Sequence, residues 1–167
     1  MKIELKRWDE NNLDAVSDIF TRCNRRYLSD GLPMPYTRAH AEDWFNSTVC
    51  EKEGKSGLFR IVYVDNAAAG IITLQCGEGC YACDADIGYV LLDEYKGCGV
   101  MTRAVDIFCR EAFETLDILR ITARIFTPNI ASQRVLEKNG FELEGCQRRA
   151  VLKGDTIYDM YLFGKLK

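Results

Sequence analysis

The chain has 167 residues, enough for one domain that buries roughly 70% of its unfolded-chain surface without a disulfide or metal staple. Hydrophobic residues make up 47% and charged residues 28%, an ordinary globular balance that excludes disorder, collagen and coiled coil. The 22 basic and 25 acidic residues leave a net charge of −3 with no basic stripe, so nucleic acid is not an expected partner, and the mild acidity suits a cationic substrate.

In chain order, residues 3–8 (IELKRW) alternate like a first strand. Asn11 or Asn12 can cap a helix whose apolar stripe is Leu13, Val16, Ile19, Phe20 and Cys23. Gly31 to Pro35 is a breaker segment, and Thr37 caps a second helix carrying Trp44, Phe45, Thr48 and Val49. A charged loop from Glu51 to Gly57 leads to strands at 58–64 and 69–75, joined by Asp65-Asn66. A third strand, 85–92, follows the loop Gly77 to Asp84. The Gly-rich link EYKGCG then enters an amphipathic helix, 100–116, with Met101, Val105, Phe108, Ala112 and Leu116 on one face. Strand 120–125 precedes a short helix opened by Pro128-Asn129 and closed by Asn139-Gly140. Strands 141–151 and 156–165 pair across Lys153-Gly154-Asp155. The result is a single mixed α/β domain over residues 1–167, with antiparallel hairpins and one parallel crossing in the middle.

No apolar run approaches the ~20 residues of a membrane-crossing helix, and the opening MKIELKRWDE lacks an export signal's apolar core. These features predict a cytoplasmic protein with no membrane partner. Its eight cysteines are then expected as free thiols. Cys76, Cys80 and Cys83 form a C-x3-C-x2-C cluster, but the lone histidine, His40, is far away in sequence and no fourth ligand has the right spacing, so no metal is expected. One histidine and no G-x-S-x-G elbow also argue against a serine triad.

The chemistry concentrates in strand 85–92, link 93–99 and helix 100–116. A glycine-rich turn into a helix N-terminus presents backbone N–H groups to an anion. Gly97 and Gly99 permit close approach, and Lys96 adds charge. The P-loop pattern is absent. The dinucleotide pattern G-x-G-x-x-G is half present, with Thr102 in the third glycine position. Its acidic partner fails too, because Asp117 precedes the next strand instead of ending it. A coenzyme A loop of the form Q/R-x-x-G-x-G/A is the third candidate.

On these residues the sequence resembles the GNAT superfamily of acyl-CoA-dependent N-acyltransferases, and within it the RimJ/RimL-type branch of ribosomal-protein N-terminal acetyltransferases. The segments LPMPYTRAHAEDW, DIGYVLLDEYKGCGVMTRAV, RITARIFTPNIASQRVLEKNGFELEG and the closing IYDMYLFGKL match in order. Three features depart from the family's habit. Lys96 replaces Gln or Arg, Met101 replaces Gly or Ala, and Leu136 occupies the position of a tyrosine acid found in many members. The resemblance implies a mostly antiparallel sheet of about seven strands flanked by about four helices, splayed between the fourth and fifth strands.

It also implies a site. Lys96, Gly97, Cys98, Gly99, Val100, Met101 and Thr102 would hold the pyrophosphate of acetyl-CoA. The backbone of Tyr89, Val90 and Leu91 would pair with the pantetheine amides, and one N–H there would stabilise the oxyanion. Asn129, an N-cap on local grounds, would also touch the pantetheine arm. Ser132 would protonate the departing thiolate. An attacking ammonium must first lose a proton; Asp86 is the first choice of base, with Asp84, Asp159 or a water relay as alternatives. Cys98 suits backbone contact better than nucleophilic attack. The expected reaction is direct acetyl transfer in a ternary complex to a primary amine, either a peptide N-terminus or a small molecule. A non-catalytic acyl-CoA-binding or sensing module is the alternative, and a homodimer is an open assembly state. Residues 25–40 and the hairpin tip at 150–157 are expected to select the acceptor.

Overall fold

The computed structural model describes residues 1–167. Seven strands form one sheet in the order β1-β2-β3-β4-β5-β7-β6: β1 Ile3–Arg7, β2 Gly57–Val64, β3 Ala67–Cys76, β4 Asp84–Leu91, β5 Arg120–Phe126, β6 Glu142–Lys153 and β7 Thr156–Leu166. The helices are α1 Leu13–Arg22, α2 Arg38–Trp44, the single turn α3 Cys50–Lys52, α4 Val100–Thr115 and α5 Ile130–Lys138. A π-helical turn, Phe45–Val49, joins α2 to α3, so four helical bodies flank the sheet.

Each neighbouring strand pair is antiparallel except β4 with β5. That parallel pair has only three rungs, Asp84–Arg120, Ala85–Ile121 and Asp86–Thr122. Beyond them β4 continues to Leu91 and β5 to Phe126 without pairing to each other, which is the expected splay. A parallel crossing needs a long connection, and α4 supplies it. Its predicted stripe is correct: Met101, Val105, Phe108, Ala112 and Leu116 are all buried. They pack with Ile72, Leu74, Ile121 and Ala123 from the sheet. A second core on the opposite face joins α1 and α2 to β2 and β3 through Val16, Ile19, Ala41, Phe59 and Ile71.

Local chemistry explains most boundaries. Thr37 Oγ1 accepts from the backbone N–H of His40, while His40 Nδ1 accepts from that of Thr37, a reciprocal cap. Asp65 and Asn66 both adopt positive φ, as the tight β2–β3 turn requires. Asn12 differs from expectation: its side chain accepts from Asp9 N and donates to Arg7 O, fixing the β1–α1 corner and leaving the helix end uncapped. The π turn shifts the face of the second helical body, so its buried seam is Ala41, Phe45 and Val49, and Trp44 is 38% exposed.

The segment predicted as a charged loop, 51–57, contains α3 and the buried Glu53. Glu53 Oε1 accepts from Arg60 Nη1 at 2.7 Å, and Arg60 Nε donates to Glu111 on α4 at 3.0 Å. That network ties α3, β2 and α4 together. Removing one partner of such a buried pair costs about 3–5 kcal/mol.

Candidate active site

The splay opens a cleft of about 560 Å³. One wall is the unpaired end of β4. Tyr89 and Leu91 point toward the α4 core, while Val90 packs against the α1–α2 core, the alternation a strand dictates. All three line the cleft. On their other side they pair with Ile72, Gly70 and Ile71 of β3, so one edge of β4 remains free.

The floor is the link into α4. Gly97 and Gly99 both have φ near +78°, in the left-handed region that favours glycine. A Cβ at either would meet no protein atom within 4 Å, so the space they leave belongs to the cleft. The first α4 N–H to reach a carbonyl from this link is Arg103 N, donating to Gly99 O at 3.0 Å. No side chain caps the helix. The preceding N–H groups, through Thr102, are therefore left for a ligand, and the helix dipole adds positive potential there.

The far wall is α5. Asn129 Oδ1 accepts from Ser132 N at 3.3 Å, so the predicted N-cap is present. Asn129 and Ser132 both line the cleft. Leu136 is fully buried in the core behind them.

Lys96, Gly97, Gly99, Val100, Met101 and Thr102 join Tyr89 to Leu91, Asn129 and Ser132 around this one cavity. Two predicted residues stand apart from its lining. Cys98 is exposed in the link, with its thiol directed at Lys96 O, 3.6 Å away. Asp86 is on the opposite face of β4 from Tyr89, and its carboxylate is held by Arg124. The alternative carboxylates are also engaged. Asp84 accepts from Thr122 Oγ1 at 2.7 Å, and Asp159 accepts from Arg149 N at 2.7 Å. The cysteines at 76, 80 and 83 are free thiols.

Arg26, Tyr27 and Leu28 of the α1–α2 connection, within the 25–40 segment expected to select the acceptor, line the same cleft. Sequence reading missed Asn24, Tyr95, Arg134 and Lys138 as wall residues. The lining carries four cationic side chains, Arg26, Lys96, Arg134 and Lys138, and no carboxylate or histidine. A protein of net charge −3 thus concentrates positive charge around one cavity. Arg134 and Lys138 on α5 stay exposed and stand at the mouth of the cleft, where tertiary folding brings them beside the link into α4.

A cation-lined cleft beside a parted strand and an uncapped, glycine-led helix suits an elongated polyanion with an amide-bearing tail. The acetyltransferase (GNAT) domain family matches residues 2–142, and the chain belongs to that family, whose members transfer acetyl from acetyl-CoA to an amine. Among the proteins it is similar to are ribosomal-protein acetyltransferases. The ribosomal-protein-serine acetyltransferase of Escherichia coli is 23% identical over 98% of this chain and 92% of its own length. The probable N-acetyltransferase YjcK of Bacillus subtilis is 45% identical, but over only 40% of this chain and 37% of its own length. RimL, a ribosomal L7/L12 α-N-protein acetyltransferase solved with coenzyme A, superposes with a TM-score of 0.85 at 22% identity, covering 99% of this chain and 94% of RimL. No helix here is long and apolar enough to cross a membrane.

Proposed function

We propose that this protein transfers an acetyl group from acetyl-CoA to a primary amine by direct attack in a ternary complex, acting in the cytoplasm on a peptide N-terminus or a small amine. The observation that carries this reading is the single cleft in which free β4 backbone, free α4 N–H groups and four cations converge. Backbone N–H groups of Gly97 to Thr102 take the pyrophosphate, with Lys96 and Lys138 nearby. The free edge of Tyr89 to Leu91 pairs with the pantetheine amides as an added strand would. An N–H of that edge polarises the thioester carbonyl, and Asn129 steadies the arm.

The acceptor approaches from the other face of β4, where Asp86 stands. An amine that arrives charged loses its proton there, either to Asp86 or through water, before nitrogen attacks the carbonyl carbon. Collapse breaks the C–S bond, and Ser132 hydrogen-bonds the departing sulfur. Ser132→Ala should lower kcat at least about tenfold, a lenient bar below the usual general-acid range, with acetyl-CoA affinity unchanged. A variant with wild-type kcat removes Ser132 from the mechanism.

The decisive experiment is an acceptor screen. Purified protein and acetyl-CoA are incubated with pools of peptides and small amines, and both acetylated product and released thiol are measured. Product with stoichiometric thiol is expected. Tight acetyl-CoA binding with no thiol release from any pool would favour the non-catalytic binding module.

A further inference from the structure

We propose that a second cavity, beside the start of α4, takes the 3′-phosphate of acetyl-CoA, and that Arg103 and Lys165 select for that group. The inference rests on the acetyl-transfer reading above and narrows its donor to a free coenzyme A thioester that carries this phosphate.

The cavity measures about 420 Å³ and has no hydrophobic residue in its lining. It shares Gly99, Thr102 and Lys138 with the main cleft, so the two meet at the first turn of α4. The rest of its wall is Arg103 and Asp106 on α4, Asn139 at the end of α5 and Lys165 on β7. Arg103 and Lys165 do not line the main cleft.

The order of groups along the cofactor decides what reaches this place. With the pyrophosphate on the N–H groups of Gly97 to Thr102, the pantetheine arm runs toward the free edge of β4. The ribose, with its 3′-phosphate and adenine, leaves from the other end of the pyrophosphate. The second cavity adjoins the pyrophosphate site and contains no residue of β4. It offers adenine no apolar or aromatic side chain to stack on. A phosphate needs none, so the phosphate is the group that enters.

The charges agree. α4, α5 and β7 each contribute one cation, Arg103, Lys138 and Lys165, against the single acid Asp106. Asp106 Oδ2 is shared by Arg103 Nη1 at 2.6 Å and Arg110 Nη2 at 2.7 Å, so its charge is already matched on α4. Arg103 makes no other side-chain hydrogen bond, which leaves the rest of its guanidinium fork for an anion. Lys165 Nζ donates to Asn139 O at 2.5 Å and keeps donors to spare. Buried Asn139 holds the frame: its Nδ2 donates to Thr102 O at 3.1 Å and to Val135 O at 2.7 Å, locking the end of α5 to the first turn of α4.

Calorimetry with acetyl-CoA and with 3′-dephospho-acetyl-CoA isolates this group. Wild-type protein should bind acetyl-CoA at least about tenfold more tightly, the scale of a charge-assisted hydrogen bond. In Arg103→Gln/Lys165→Gln the preference should shrink to within about threefold through loss of acetyl-CoA affinity, while affinity for the dephospho ligand changes by about twofold at most. The dephospho ligand reports folding and pyrophosphate binding in the same variant, so general damage does not give this pattern. Arg103 is exposed, and Arg103→Gln alone should keep the fold and show part of the loss. Equal wild-type affinity for the two ligands, a double variant with wild-type preference, or a double variant that loses both ligands equally would each overturn the proposal. Wild-type protein that binds neither ligand would overturn the transfer reading instead.

Discussion

The two sides of β4 are built on different principles. The proposed cofactor side uses contiguous backbone: a free strand edge, two left-handed glycines and an uncapped helix start, all within residues 89–102. The proposed acceptor side uses contacts between distant segments. Lys153 at the β6–β7 tip donates to Leu28 O and pairs with Asp30 at 2.9 Å, pinning the α1–α2 connection to the hairpin. Phe126 packs between Tyr27, tilted against it at 5.6 Å, and Tyr158, edge-on at 5.4 Å. Backbone recognition tolerates change in side chains, so the first side suits a ligand common to many enzymes. The second depends on particular side chains and suits selection of one acceptor.

The comparison breaks most severely at Gly99. Valine there must adopt a φ near +78°, which costs an L-residue roughly 1–2 kcal/mol, and its side chain projects into cleft space. Acetyl-CoA affinity measured by calorimetry should fall tenfold or more, about 1.4 kcal/mol. A folded variant with unchanged affinity would show that the link is not the pyrophosphate site.

The acceptor side should respond more mildly and separately. Lys153→Met releases the connection from the hairpin. Asp30 is 68% exposed, so the ion pair is screened, and the expected rise in acceptor KM is about fivefold, ~1 kcal/mol. Acetyl-CoA affinity should not change. Loss of acetyl-CoA binding, or an unchanged KM for the acceptor, would show that the two sides are not divided along β4 as described.

The same division explains what could be read from the chain. The α4 stripe, the β2–β3 turn and the Asn129 cap follow from short-range periodicity and turn chemistry, and all are present. Glu53 looked like a loop charge because the arginine that buries it is seven residues on and the network's other acid, Glu111, is 51 residues from Arg60. Tyr27 carried no local signal, since its contacts are to Phe126 and Pro128. Asn12 satisfied a capping pattern, but its side chain found closer partners in Arg7 and Asp9. Pattern reading succeeds where the competing partners lie within a turn or two and loses where folding brings in others.

The smallest expected effect tests whether the cofactor side works through backbone or through a thiol. Cys98 sits between the two left-handed glycines and is exposed. Its side chain is absent from the cleft lining, and its thiol is directed at Lys96 O. In direct transfer the acetyl group passes from sulfur of the cofactor to nitrogen without resting on the protein. Cys98→Ala should then stay near the effect of an ordinary surface change, about 0.5 kcal/mol or about twofold, in both acetyl-CoA affinity and kcat. Wild-type protein held with acetyl-CoA alone should show no acetyl adduct at Cys98 by peptide mass spectrometry. If, as proposed, the backbone on either side of Cys98 meets the pyrophosphate, bound cofactor should still slow alkylation of this thiol, while Cys50, Cys80, Cys83 and Cys146, all exposed, react at unchanged rates. An acetyl adduct at Cys98 that forms and discharges as fast as turnover would replace the ternary complex with a two-step mechanism. Protection absent at Cys98 would move the cofactor away from the link.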